Sequence, residues 1–265
     1  MRGARLRALV RGGARRVRVE QELLVAYEGV LRGLQTPTAR RNRRDDERVR
    51  IVAAAVLGRG SNCVDIGASE GQLLAVFTEL APEGRHIAYE PVPHVQARLA
   101  RRFPRVEVRG AALADHNGAS TFVVNKRLPS RSSLRAVGCR AADTETIEVQ
   151  VRTLDDSLPP GYVPKLLKID VEGAEHLVLA GARRTVMTHR PVILFEHQRS
   201  TAAHYGSGPE LLFDLLVEQL DMRIFDLDGD GPYSLSRLRR AYDSGSRWNF
   251  FAVPGAGRPQ LALGV

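Results

Sequence analysis

The stretch that most constrains this chain is Asn62-Cys63-Val64-Asp65-Ile66-Gly67-Ala68-Ser69-Glu70-Gly71, followed by Gln72 to Phe77. A short apolar run ends in an acid and crosses a turn punctuated by two glycines. It then opens a helix on which Leu73, Val76, Phe77 and Leu80 recur at helical spacing. A strand, a tight loop and a helix in that order form the unit with which open α/β sheets hold a nucleotide-like ligand, beyond the carboxyl ends of their strands.

More such units follow. His86 to Pro91 reads as a second strand ending in an acid, Pro93 to Phe103 as a helix stopped by Pro104, and Val106 to Leu113 as a third strand. Asn117-Gly118 signals a hairpin into a strand at Ala119 to Val124, and Thr146 to Val151 alternates as another strand. Pro164 to Asp170 is a fourth parallel strand, Ala174 to Met187 a helix, Pro191 to Glu196 a fifth strand and Pro209 to Leu220 a helix. Strands at Arg223 to Leu227 and Asn249 to Val253 close the order. This alternation predicts an open, mostly parallel, doubly wound α/β sheet.

Upstream, Leu23, Leu24, Tyr27, Val30, Leu31 and Leu34 mark a helical stripe within 20–34, and 36–44 reads as a linker. Asp45, Asp46 and Glu47 suit the positive end of a helix that Gly58 and Gly60 terminate. The expected organisation is an arginine-rich extension at 1–44, a main domain at 45–254 and a tail at 255–265. Charge supports that division. Of the net +9, residues 1–44 hold twelve arginines against Glu20, Glu22 and Glu28, a surplus of nine, and the remainder balances to zero. The basic character therefore says nothing about the ligand of the main domain. The tail could touch an anionic surface or nucleic acid, or simply be solvated.

With 43% apolar residues the chain can bury a large core, and no apolar run approaches the ~20 residues of a membrane span. Two cysteines, Cys63 and Cys139, give neither a metal spacing nor a disulfide framework, and no apolar segment of secretory type follows the basic N-terminus. A cytoplasmic setting is the expectation.

Charge also decides which ligand the first loop suits. A dinucleotide fingerprint wants G-x-G-x-x-G and sets a pyrophosphate on the helix N-terminus. Here Asp65 stands in place of the first glycine, Gly67 and Gly71 follow, and Glu70 adds a second carboxylate. Two acids repel a pyrophosphate and favour a cation, such as the ammonium and sulfonium of S-adenosylmethionine. Glu90, at the end of the second strand, is placed to accept hydrogen bonds from ribose hydroxyls.

Five blocks make the sequence resemble the FkbM-type S-adenosylmethionine-dependent methyltransferases. They are Val64 to Gly71, Tyr89-Glu90-Pro91, Ala111 to Asp115 before Asn117-Gly118, Leu166 to Glu175, and Ile193 to Glu196. Ser132-Ser133-Leu134, Thr153 to Asp156 and Trp248 to Pro254 add to the likeness, which covers about 45–254 and leaves the first 44 residues out. The resemblance implies a seven-stranded class I methyltransferase (Rossmann-like) sheet whose last strand is antiparallel. It also implies methyl transfer, commonly to a hydroxyl of a sugar, natural product or other small molecule.

Candidate cofactor contacts are Asp65, Gly67, Ser69, Glu70, Gly71, Glu90, Pro91 and Asp170, with Leu113 and Asp115 implied as adenine contacts by the family's binding edge. Candidate catalytic residues are Asp170, Glu172 and His197. Asp170 could be a base, a sulfonium contact or a metal ligand. Glu172 and Glu175 could share those roles or cap the next helix, and His197 could be a base. No metal site is assigned, although a divalent ion stays open. Asp226-x-Asp228-x-Asp230-Gly231 resembles the start of a calcium loop, but Arg237 stands where the bidentate acid belongs, so it reads as a turn. The long loop at 125–144, with Arg127, Arg131, Arg135 and Arg140, could form a lid over an acidic acceptor. The rival functions are a nucleic-acid methyltransferase using the basic arm, a dinucleotide-dependent oxidoreductase, and a binding module without turnover.

Overall fold

The computed structural model describes residues 37–135 and 141–256. The helix expected within 20–34, the arginines before Pro37, Cys139, Arg140 and the end of the tail lie outside these residues. Two compact units divide between Glu47 and Arg48. The division falls inside a helix, α1, which runs Pro37–Val56. The linker expected at 36–44 is therefore largely helical. Proline suits a first helical turn because its missing N–H has no partner there anyway, and Asp45, Asp46 and Glu47 fall in the helix interior instead of opening it.

The second unit is built on a seven-stranded sheet. Its strands are β1 (Asn62–Ile66), β2 (Ile87–Tyr89), β3 (Glu107–Arg109), β7 (Pro164–Ile169), β8 (Val192–Glu196), β9 (Met222–Asp226) and β10 (Asn249–Pro254). They lie in the order β3-β2-β1-β7-β8-β10-β9. The first five are parallel, and β10 runs antiparallel to both its neighbours. The mostly parallel seven-stranded α/β fold expected from the sequence is the one observed. The order reverses beside β1, so β1 and β7 leave their carboxyl ends together at the crossover, where open sheets bind ligands. Being covered on both faces, β1 and β7 carry near-continuous buried residues rather than alternating ones.

Two strand expectations are corrected. The third strand is split at Gly110: β3 stays in the main sheet, while β4 (Ala111–Leu113) turns into a separate three-stranded sheet. There β4 pairs parallel with β6 (Thr144–Arg152), which pairs antiparallel with β5 (Gly118–Asn125). Asn117-Gly118 therefore makes no hairpin between β4 and β5. The partner of β5 lies across the loop beginning at Lys126, because Phe122, Val124, Val149 and Val151 bury together with Val92 and Val95. The helix expected from Ala174 is also broken, into Glu175–Ala180 and Arg183–His189. At the break, Gly181 passes so near Ala114 that a Cβ would lie 2.0 Å from the Ala114 carbonyl oxygen.

Two clusters sandwich the sheet. Ile66, Leu167, Ile169, Ile193, Phe195 and Phe250 lead one, and Val49, Ala53, Cys63, Phe77, Leu166 and Leu194 form the other. Cys63 is fully buried, and burial, with Asp65 beside it, pushes its thiol up to about 12. Asp226, the first acid of the calcium-like run, accepts the N–H groups of Asp228 and Asp230 and the hydroxyl of Tyr233, which makes the run a turn after β9.

Candidate functional site

Two cavities meet at the carboxyl ends of the central strands. The larger, about 540 Å³, is bounded by Gly67 and Ser69 of the first loop, Glu90 and Pro91 after β2, Leu113 of β4, and Asp170 and Glu172 after β7. Ala112, Phe122 and Leu134 add apolar wall, and Ser132 a polar one.

Gly67 makes the crossover tight. Its φ of +74° is a left-handed conformation, and a Cβ there would stand 1.9 Å from the Asp170 carbonyl oxygen. Asp170 in turn donates its N–H to the Ile66 carbonyl at 3.1 Å, fastening the two strand ends. Ser69 also has positive φ, +47°, and its N–H donates to Glu90 Oε2 at 2.9 Å. Glu90 Oε1 accepts the Val92 N–H at 2.9 Å, so this buried carboxylate braces the loop from beneath the cavity. Burial raises its pKa, and the two N–H donors oppose that rise.

The acids at the other end come from β7 and β8. Carboxylate oxygens of Asp170, Glu172 and Glu196 lie within 4.8 Å of one another. Three charges so close oppose one another's ionisation. Burial first, and Asp170 next, push Glu172 up to about 8. Burial raises Glu196 well above the carboxylate range, followed by the charges of Asp170, Glu172 and Glu175 and a hydrogen bond with Asp170. Glu175 is fully buried, is pushed up to about 7 chiefly by burial, and accepts the N–H groups of Val171 and Gly173 on Oε1. It thus holds the loop on which Glu172 sits at a φ of +56°. Those two N–H groups precede the helix at Glu175–Ala180, whose N-terminus has no side-chain cap, so neither Glu172 nor Glu175 caps it. The three-acid spacing would also accept a divalent ion.

Several expected contacts stand elsewhere. Asp65 is buried in the sheet, opposite Lys168 in the β1–β7 register, and pairs with its Nζ at 3.1 Å. Lys168 Nζ also donates to the Gly67 carbonyl at 2.6 Å, and its pKa is raised because Asp65 and Asp170 outweigh burial. Asp65 therefore neutralises a buried lysine and does not line the cavity. Glu70 points to solvent, where Arg98 holds it at 2.7 Å, and Gly71 packs on Leu99 and Phe103. Asp115 is exposed beside His116 at 2.8 Å. His197 is fully buried, stacked on Tyr242 with 4.9 Å between ring centroids, and lines neither cavity. Burial first, then His176, lowers its pKa to about 4, so it is a neutral ring. Gly67, Ser69, Glu90, Pro91, Leu113, Asp170 and Glu172 do line the larger cavity.

Glu196 joins the site beyond the sequence candidates, and its place at the end of an apolar strand is the same signal that marks Glu90 and Asp170. Lys168, too, lies outside those candidates, and it ties Asp65 to the Gly67 loop. Among the described residues, no helix is long and apolar enough to cross a membrane.

Residues 65–220 match the profile of the family described as Methyltransferase FkbM domain. No curated protein matches the sequence. Among solved structures, the methyltransferase FkbM from Methylobacillus flagellatus KT aligns with 20% identity and a TM-score of 0.47, over 74% of this chain but only 44% of that one. A precorrin-6y C5,15-methyltransferase from Geobacter metallireducens GS-15 aligns at 16% identity and a TM-score of 0.39, covering 67% of this chain and 72% of that one. A putative rRNA-methylase from Clostridium thermocellum aligns at 7% identity and a TM-score of 0.47, covering 81% of this chain and 97% of that one.

Proposed function

This chain belongs to the FkbM family of S-adenosylmethionine-dependent methyltransferases, and from that premise we propose that it methylates a hydroxyl oxygen of a small-molecule, sugar or natural-product acceptor. Family membership sets aside the dinucleotide oxidoreductase. The observation that carries the proposal is the trio Asp170, Glu172 and Glu196, with oxygens within 4.8 Å of one another where the two cavities meet. A hydroxyl is a weak nucleophile that must lose its proton as it attacks, and the trio offers a proton acceptor there.

The residues present fit the cofactor. Glu90 would take the ribose hydroxyls, Leu113, Ala112 and Phe122 the adenine, and Gly67, Ser69 and Asp170 the amino-acid end. When bound, S-adenosylmethionine supplies a methyl group on a positively charged sulfur. Asp170 accepts the acceptor's proton, while Glu196, kept neutral by burial and its neighbours, hydrogen-bonds to Asp170 and orients it. The acids favour a nearby positive charge, and the cavity walls hold acceptor and methyl donor aligned.

Titration calorimetry with S-adenosylmethionine, S-adenosylhomocysteine and NAD tests the cofactor, and transfer of a radiolabelled methyl to hydroxyl acceptors tests the reaction. The reading predicts binding of the first two and label in an ether linkage. Label recovered on nitrogen would overturn the oxygen assignment, and label recovered in RNA would overturn the small-molecule acceptor.

A further inference from the structure

The smaller cavity, about 290 Å³, lies wholly within the second unit and shares Asp170 with the larger one. Its walls are Val49 of α1, Leu73, Ile169, Leu194, Phe195, Leu227 and Phe250. Polar groups enter from Lys168, Asp170, Glu196 and Asn249. The Lys168 ammonium is already engaged by the Gly67 carbonyl and Asp65, so it offers little to a ligand. Asp170 and Glu196 belong to the acid trio, so the polarity of this cavity gathers where it touches the cofactor space.

From this distribution we propose that the smaller cavity is the acceptor site, and that the acceptor is a lipophilic alcohol or phenol. The proposal rests on the hydroxyl-methylation reading above and narrows it. A sugar carries hydroxyls on every side. In this cavity it would bury most of them against Val49, Leu73, Leu194 and Leu227, where they would lose water without gaining a partner. An acceptor with one hydroxyl needs polar partners only at one end, and Asp170 with Glu196 provides them. Its apolar remainder gains from leaving water along the other walls. Leu73, Leu227 and Val49 are then the specificity-determining residues, since they come from three separate stretches of the chain and do not line the cofactor cavity.

The test uses the full chain saturated with S-adenosylhomocysteine, with cyclohexanol, 4-methylphenol and glucose as probes, read by saturation-transfer NMR. Leu73→Trp and Leu227→Trp each fill the cavity from a different side, and calorimetry with S-adenosylhomocysteine checks that each variant keeps the cofactor site. The expected result is binding of cyclohexanol or 4-methylphenol but not glucose, weakened at least about tenfold in either filled variant. Glucose binding as well as the lipophilic probes, or probe binding untouched by both substitutions, would overturn the proposal. Binding of S-adenosylhomocysteine with no lipophilic probe bound overturns the acceptor assignment alone. No binding of S-adenosylhomocysteine to the unaltered protein overturns the methyl-transfer reading, and this proposal with it.

Discussion

Replacing Glu172 with glutamine should flatten the pH dependence of stability in the cofactor-free protein. In an unfolded chain this carboxyl ionises near 4.5, and in the folded protein it keeps its proton to about 8. The folded state therefore binds the extra proton between those values. The associated stability is complete below 4.5 and is lost as pH rises through 8, at about 1.4 kcal/mol per pH unit. By pH 7 about 3 kcal/mol would be gone, an upper figure because Glu172 is only partly buried and water screens it. Glu175 and Glu196 slope the same way, so the unaltered protein changes by more than one proton's worth. Glutamine keeps the shape and removes one titration. Urea unfolding of both proteins at pH 5.5, 6.5 and 7.5 should show the variant gaining about 1.4 kcal/mol over the parent per unit, and about 2–3 across the range. A difference that stays constant with pH would refute the reasoning, because it would mean that Glu172 titrates alike folded and unfolded. Saturating S-adenosylmethionine should erase much of the parent's loss, since a bound cation favours the ionised acids.

Three other perturbations address separate parts of the site. Glu90→Ala removes the acceptor of the Ser69 and Val92 N–H groups as well as the ribose partner. Each such charged hydrogen bond contributes about 1.5–3 kcal/mol, so calorimetry should show S-adenosylmethionine affinity falling tenfold or more. Gly67→Ala puts a methyl 1.9 Å from the Asp170 carbonyl in a left-handed backbone, so thermal unfolding should fall by several degrees and cofactor binding should disappear. EDTA should leave radiolabelled methyl transfer within about twofold of the untreated rate, since Asp170 is placed to take the proton directly; a loss restored by magnesium would make the trio a metal site.

How much was legible in the sequence depended on how local the cause was. Gly67 and Glu90 are set by a turn and a strand end, signals contained in a few residues, and both bound the cavity as read. Asp65 looked the same, but its role is fixed by Lys168, a hundred residues on, through the pairing of β1 with β7. A strand buried on both faces has no alternation to say which way its acid points. Glu70 was drawn off by Arg98 on a neighbouring helix, again a contact between elements. The second sheet escaped for the same reason. Asn117-Gly118 is a strong local turn signal, while β5 found its partner beyond a long loop because that pairing buries Phe122, Val124, Val149 and Val151.

What connects the two outcomes is where the negative charge went. The sequence points to a cation on the acids of the first loop, and the fold spends Asp65 on a buried lysine and Glu70 on a surface arginine. The acids left crowded together are Asp170, Glu172 and Glu196, with Lys168 at 3.7 Å from Asp170 and the charge of Arg131 acting on Glu172. Glu172 is also held at positive φ by a loop that Glu175 fastens from below. Backbone strain and crowded carboxylates both oppose folding, and burial compounds the second. Natural chains tolerate such opposition mainly where a ligand relieves it. A sulfonium and an ammonium would do so here, and an electrostatic environment already in place needs little rearrangement during transfer. The same arrangement that raises Glu172 to about 8 should therefore make S-adenosylmethionine, with its charged sulfur, bind more tightly as pH rises toward that value, releasing protons. S-adenosylhomocysteine, whose sulfur is neutral, should show the weaker dependence. Calorimetry in buffers of different ionisation enthalpy reads both quantities, and equal proton release by the two ligands would remove the sulfonium from the acids' neighbourhood.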